Sequence, residues 1–108
     1  MKQRAVEHGL PVFQPLSINS PECVERLKAI GPDVLVCAAY GQIMSKEILE
    51  LPRLGCLNVH ASLLPRWRGA APVAWAIADG DRDTGVTVQR LVRKLDSGDI
   101  IMQKATPI

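Results

Sequence analysis

The chain has 108 residues, 47% of them hydrophobic and 22% charged, with a formal net charge of +2. That describes one ordinary globular domain at most, and so slight a positive balance does not by itself argue for nucleic acid. No apolar run approaches the ~18–20 residues of a membrane span, and the N-terminus lacks a signal-peptide core, so a cytoplasmic protein is expected.

Residues 1–9 read as the end of a helix closed by Gly9, followed by the extended segment Pro11-Val12-Phe13-Gln14-Pro15. Ser20 is the expected N-cap of the next helix, with Pro21 at its first position and Glu22 in its first turn. Cys23, Leu27 and Ile30 give that helix its apolar stripe, and Gly31-Pro32 stops it. Asp33 to Ala39 is a near-continuous apolar run, the pattern of a strand covered on both faces. Ser45 can cap a short helix through Leu51. Cys56 to His60 is the next strand, and its period of two places Cys56, Asn58 and His60 on one face, with Leu57 and Val59 on the other.

A loop bounded by Pro65 and Gly69 leads to a helix opened by Pro72 and closed by Gly80. Asp81 to Gly85 reads as a polar turn, and Val86-Thr87-Val88-Gln89 as a strand with one polar face. Asp96-Ser97-Gly98-Asp99 is turn chemistry, and Ile100 to Ala105 is a last strand antiparallel to the one before. The order βαβαβαββ predicts an α/β fold, a mostly parallel sheet finished by a C-terminal antiparallel hairpin. No GxGxxG turn is present, and the chain opens partway through a helix, which is the pattern of a fragment of a larger protein.

Cys23, Cys37 and Cys56 form no CxxC pair, so free thiols and no metal site are expected. The chemistry-bearing candidates are Asn58 and His60, which share a strand face at the mouth of a loop. A carboxamide and an imidazole there could bind a carbonyl oxygen that turns negative in a tetrahedral intermediate. Asp96 could fold back to orient or charge the imidazole. The plainer alternatives are a structural histidine, an asparagine serving the backbone and an ordinary turn aspartate. Arg66-Trp67-Arg68-Gly69 offers phosphate pairing and base stacking, or simply a solvated loop. Arg90, Arg93 and Lys94 read as an exposed strand end.

Asn58-Val59-His60-Ala61-Ser62-Leu63-Leu64-Pro65 resembles the signature of the formyltransferases that use 10-formyltetrahydrofolate. The continuation Arg66-Trp67-Arg68-Gly69-Ala70-Ala71-Pro72 is similar to the branch of that family acting on methionyl-tRNA. So are Gly80-Asp81, Thr84-Gly85-Val86-Thr87, Leu95-Asp96-Ser97-Gly98-Asp99, Ala39-Tyr40-Gly41-Gln42-Ile43 and Leu51-Pro52-Arg53-Leu54-Gly55-Cys56. The resemblance implies a Rossmann-like formyltransferase fold, second half only. Residues 1–108 would be a partial N-terminal catalytic domain, without its first strands and without a C-terminal barrel domain.

The resemblance further implies that Asn58, His60 and Asp96 are catalytic, and that Ser62, Leu63, Leu64 and Pro65 fall on the folate-binding signature. Gln42, Ile43, Met44 and Leu95 would line the pterin pocket, and charge and position assign Arg66 and Arg68 to the tRNA acceptor end. The implied reaction is formyl transfer from 10-formyltetrahydrofolate to the amino group of initiator methionyl-tRNA in translation initiation. No metal, membrane or obligate protein partner is expected. Alternatives are transfer to an amino-sugar nucleotide or a purine-pathway amine, or an inactive folate- or RNA-binding fragment. Residues 1–108 alone are expected to fold poorly or self-associate, and not to turn over.

Overall fold

A computed structural model describes residues 1–108. Four helices and four strands follow in the order α1 (Lys2–Glu7), α2 (Pro21–Ile30), β1 (Leu35–Ala38), α3 (Lys46–Glu50), β2 (Cys56–His60), α4 (Pro72–Ala78), β3 (Asp83–Arg90) and β4 (Ile100–Pro107). None of the helices is long and apolar enough to cross a membrane.

Local chemistry explains most boundaries. The Ser20 hydroxyl accepts from the Cys23 N–H, Pro21 occupies the first turn where its missing N–H costs nothing, and Gly31 ends α2 in the left-handed conformation. Ser45 caps α3 in the same way, accepting from the Ile48 N–H. The extended segment at 11–15 forms no strand.

The strands lie in the order β1-β2-β3-β4. β1 and β2 are parallel, whereas β2–β3 and β3–β4 are antiparallel. The sheet is therefore mixed, with a smaller parallel share than the expected mostly parallel one. The reason is β3. It runs back along β2 instead of continuing the parallel series, which makes β2-β3-β4 an antiparallel ribbon.

The core sits on one side of β1, where Ile18, Cys23, Val24, Met44 and Ile48 are buried and Leu35 and Cys37 pack against them. The expectation that Asp33 to Ala39 is covered on both faces fails. The strand is shorter, and Val36, on the face opposite Leu35 and Cys37, is 61% exposed. Within α2, Val24 takes the buried place assigned to Ile30, which is exposed at the last turn.

β3 departs in a more consequential way. It starts at Asp83, so part of the expected polar turn is paired with the end of β4. Its polar face also points inward: Thr87 and Gln89 are 0% and 1% exposed, while Val86 faces solvent. Burying hydroxyl and amide groups is tolerable only when they are hydrogen-bonded. Thr87 meets that condition fully. Its hydroxyl donates to the Ser62 carbonyl at 2.7 Å and accepts from the Leu64 N–H at 3.0 Å and from Gln103 Nε2 at 2.9 Å. The loop after β2 is thereby fastened to β3 and β4.

Candidate active site

Parallel pairing to β1 and antiparallel pairing to β3 fix β2 from both sides, which sets the direction of its alternate side chains. Asn58 is half-buried and His60 is buried, and both line one cavity of about 520 Å³. Asp96 reaches the same cavity from the turn after β3, as the face-sharing and turn expectations required.

His60 is held by its two ring nitrogens differently. Nε2 lies 2.8 Å from the Trp67 carbonyl oxygen. A carbonyl only accepts, so Nε2 carries the hydrogen and, in the neutral ring, Nδ1 keeps its lone pair. Nδ1 lies 3.6 Å from Asp96 Oδ1. That is too long for a hydrogen bond, and it sets the carboxylate directly beside the unprotonated nitrogen.

Asp96 is buried and its backbone is left-handed, with φ 47°. Its side chain is tethered at both oxygens: Gly69 N–H donates to Oδ2 at 2.7 Å and Gln89 Nε2 donates to Oδ1 at 2.9 Å. Arg68 Nε donates to the Asp96 carbonyl at 3.1 Å. Ala39, Trp67 and Ala71 are also left-handed non-glycine residues. All four either line the cavity or, for Trp67, bond His60. Such conformations cost about 1–3 kcal/mol each and tend to gather at functional sites.

The remaining walls are mostly apolar. Gln42, Ile43, Met44 and Leu95 are all on them, with Tyr40, Ala70, Pro72 and Leu91. Ile43 and Leu95 are 75% and 66% exposed, two large apolar side chains left open at the rim. Gln42 has a further task, since its side chain accepts from the Ile18 N–H and donates to the Leu16 carbonyl. Cys37 also borders the cavity. Burial pushes its thiol up, and burial first and then the neighbouring Cys37 do the same to Cys56, so neither offers a thiolate at neutral pH.

Other assigned residues lie elsewhere. Ser62, Leu63, Leu64 and Pro65 do not border the cavity. Ser62 is fully buried with its hydroxyl donating to the Arg66 carbonyl at 2.6 Å, and Leu64 is buried beside Thr87. This turn shapes the loop that carries the Trp67 carbonyl. Arg66 is likewise occupied. It donates to Asp81 at 2.9 and 2.6 Å and to Asp79 at 2.7 Å, with its guanidinium 4.5 Å over the Trp67 ring. The two carboxylates answer its charge within the chain. Arg68 remains exposed apart from its Nε contact. Gln89, which bonds Asp96, has only one sequence signal: a polar residue alternating with valine.

The Arg66 guanidinium, followed by the Trp67 indole N–H, holds the Asp81 carboxyl down to about 2 from its ordinary 3.8. A lowered folded-state value means a contribution present above about pH 4 and lost as pH falls toward 2. In Arg66→Met, the Asp81 carboxyl should titrate higher by NMR, part of the way back to its ordinary range because the Trp67 indole N–H remains, and the added acid sensitivity of unfolding between pH 4 and 2 should shrink. An unmoved Asp81 titration would refute this account of the network.

A formyl transferase family model matches residues 2–108. The chain belongs to the formyl transferase family. A methionyl-tRNA formyltransferase of Geotalea uraniireducens (strain Rf4) is 50% identical over 108 residues, covering all of this chain and 34% of that protein. This formyl transferase chain thus spans about a third of the length of the curated relatives it matches. Among solved structures, phosphoribosylglycinamide formyltransferase from Bacillus halodurans superposes with a TM-score of 0.84 at 30% identity, covering 98% of this chain and 58% of that one. HypX from Aquifex aeolicus, in complex with tetrahydrofolic acid, gives 0.71 at 26% identity over 79% of this chain and 14% of that one. The Rossmann-like formyltransferase fold is thereby shared.

Proposed function

We propose that the chain carries the catalytic part of an enzyme that transfers the formyl group of 10-formyltetrahydrofolate to the amino group of methionyl-tRNA. The observation that carries this reading is the convergence of Asn58, His60 and Asp96 on one cavity in a chain of the formyl transferase family. Residues 1–108 are read as a section of the N-terminal catalytic domain, and the reaction is placed in the cytoplasm, where initiator tRNA is charged and used.

The cavity suits the donor. Its volume falls within the ~300–1,000 Å³ of small-molecule sites, and a mostly apolar wall with a few convergent polar groups matches a flat heterocycle. Gln42, Ile43, Met44 and Leu95 would border the pterin. The bound donor supplies an electrophilic formyl carbon. Asn58 would donate through its amide nitrogen to the formyl oxygen as that oxygen gains charge. His60 Nδ1, with its lone pair free, would take a proton from the attacking amine, and Asp96 would stabilise the resulting imidazolium. The same Nδ1–H would then return the proton to the departing nitrogen, closing the cycle.

The acceptor is read from similarity: about half of the residues match a methionyl-tRNA formyltransferase, against 30% for a phosphoribosylglycinamide formyltransferase. Arg68 is the better of the two arginines for the tRNA end, because Arg66 is neutralised by Asp79 and Asp81. The full-length protein, given 10-formyltetrahydrofolate, should formylate methionyl-tRNA in preference to an amino-sugar nucleotide or a purine-pathway amine. Preference for either competing amine would overturn the tRNA assignment.

A further inference from the structure

Gln89 is the least economical residue in the core. It is fully buried, and a carboxylate partner dictates which way its amide points, since Asp96 only accepts. Nε2 must therefore face Asp96 Oδ1, which leaves the buried Oε1 with no hydrogen-bond donor. Leaving a buried acceptor unpaired is unfavourable, and an apolar side chain of the same length would fill the space without that penalty. The one return visible for the penalty is the bond to Asp96.

Placement sharpens the point. In the β2–β3 register Gln89 is the cross-strand partner of Asn58, and Thr87 is the partner of His60. Gln89 therefore stands beside Asn58 on the sheet and bonds Asp96 from there. The oxygen it holds, Oδ1, is also the one 3.6 Å from His60 Nδ1. Amide and imidazole thus address the same atom, while Gly69 N–H secures the other oxygen. The charged groups around Asp96 are His60 from β2, Arg68 from the loop before α4, and Arg93 from the loop after β3, which borders the same cavity.

We propose that Gln89 is a positioning residue for the reaction. Its Nε2–H holds Asp96 Oδ1 at a set distance from His60 Nδ1, and so fixes where the carboxylate stands when the imidazole takes up the amine's proton. This inference rests on the proposed formyl-transfer reading. With Gln89 removed, Oδ1 loses a donor that favours its charged form and is free to close on Nδ1. Both changes favour protonation at the site, so they act in one direction.

The test uses the full-length protein with 10-formyltetrahydrofolate and methionyl-tRNA. Gln89→Met keeps the length and removes the donor, whereas Gln89→Glu puts an acceptor opposite Asp96. In both variants kcat should fall roughly 10–100-fold, a loss comparable to that on removing the hydrogen-bond partners that orient metal-ligating histidines, with KM for the donor unchanged. The acid limb of the kcat/KM profile should move up by about one pH unit in Gln89→Met, and further in Gln89→Glu. NMR titration of the His60 ring should move the same way without any substrate. Wild-type kcat and an unmoved acid limb in both variants would overturn the inference, as would an unchanged His60 titration. A wild-type protein that transfers no formyl group defeats the functional reading instead, and the His60 titration still decides the Gln89–Asp96–His60 coupling.

Discussion

His60→Ala in the full-length protein is expected to lower kcat for formyl transfer by about 10²–10⁴-fold, the usual range for a positioned general acid–base group. Affinity for the folate donor should change little. His60 supplies one polar edge of a cavity whose walls are otherwise mostly apolar. Donor binding measured by fluorescence or calorimetry, beside single-turnover formylation, separates the two effects. The loss should not be recovered by raising the concentration of either substrate. Asp96→Asn should fall in the same direction, because a carboxamide brings no charge to the His60 imidazolium. Gln89 can turn its unpaired Oε1 to accept from the new amide, so the charge is lost while the tethers survive. Turnover at the wild-type rate in His60→Ala would remove His60 from the chemistry altogether.

Gly98→Ala is expected to be the most damaging single methyl group that can be added near the site. A Cβ at that position would fall onto the Arg90 carbonyl oxygen and carbon. Both are backbone atoms, so no side chain can swing aside. The same backbone is pinned from the other direction, since the Arg90 N–H donates to the Asp99 carbonyl at 2.9 Å. The turn from Asp96 to Asp99 must therefore open away from β3. Overpacking of this kind costs about 1–3 kcal/mol, and more when backbone has to move. In the full-length protein that is a fall in melting temperature of about 2–4 °C per kcal/mol. Activity should drop beyond what stability explains, because Asp96 travels with the turn. Thermal unfolding together with turnover measured well below the transition checks both. An unchanged melting temperature would contradict the close approach.

Much of the site was readable from residue order because strand periodicity is rigid. Once Cys56 to His60 is a strand, Asn58 and His60 share a face, whatever covers it. The approach of Asp96 was not readable in the same sense. It depends on a left-handed backbone at a non-glycine residue and on tethers from Gly69 and Gln89, which are 27 and 7 residues away. Alternation in β3 separated its two faces correctly but did not say which faced inward. Polar residues usually face out, and here Thr87 and Gln89 are buried because the Ser62–Leu64 loop and Asp96 supply their partners. The apolar run at 33–39 showed that β1 could be covered on both sides, whereas helices α2 and α3 pack on only one. Arg66 looked like a phosphate ligand because Asp79 and Asp81, 13 and 15 residues on, fold back to meet it.

The Trp67 carbonyl has a wider reach than its hydrogen bond to His60 suggests. By accepting from Nε2 it decides which ring nitrogen stores the mobile hydrogen, and so from which side protons can be exchanged. The Ser62-Leu63-Leu64-Pro65 turn never touches the cavity, but its hydroxyl and backbone anchor the loop that presents this oxygen. The same turn therefore bears on the tautomer of His60 through the oxygen it helps to place. Substitutions there should change the chemistry of His60 without altering a single wall of the cavity.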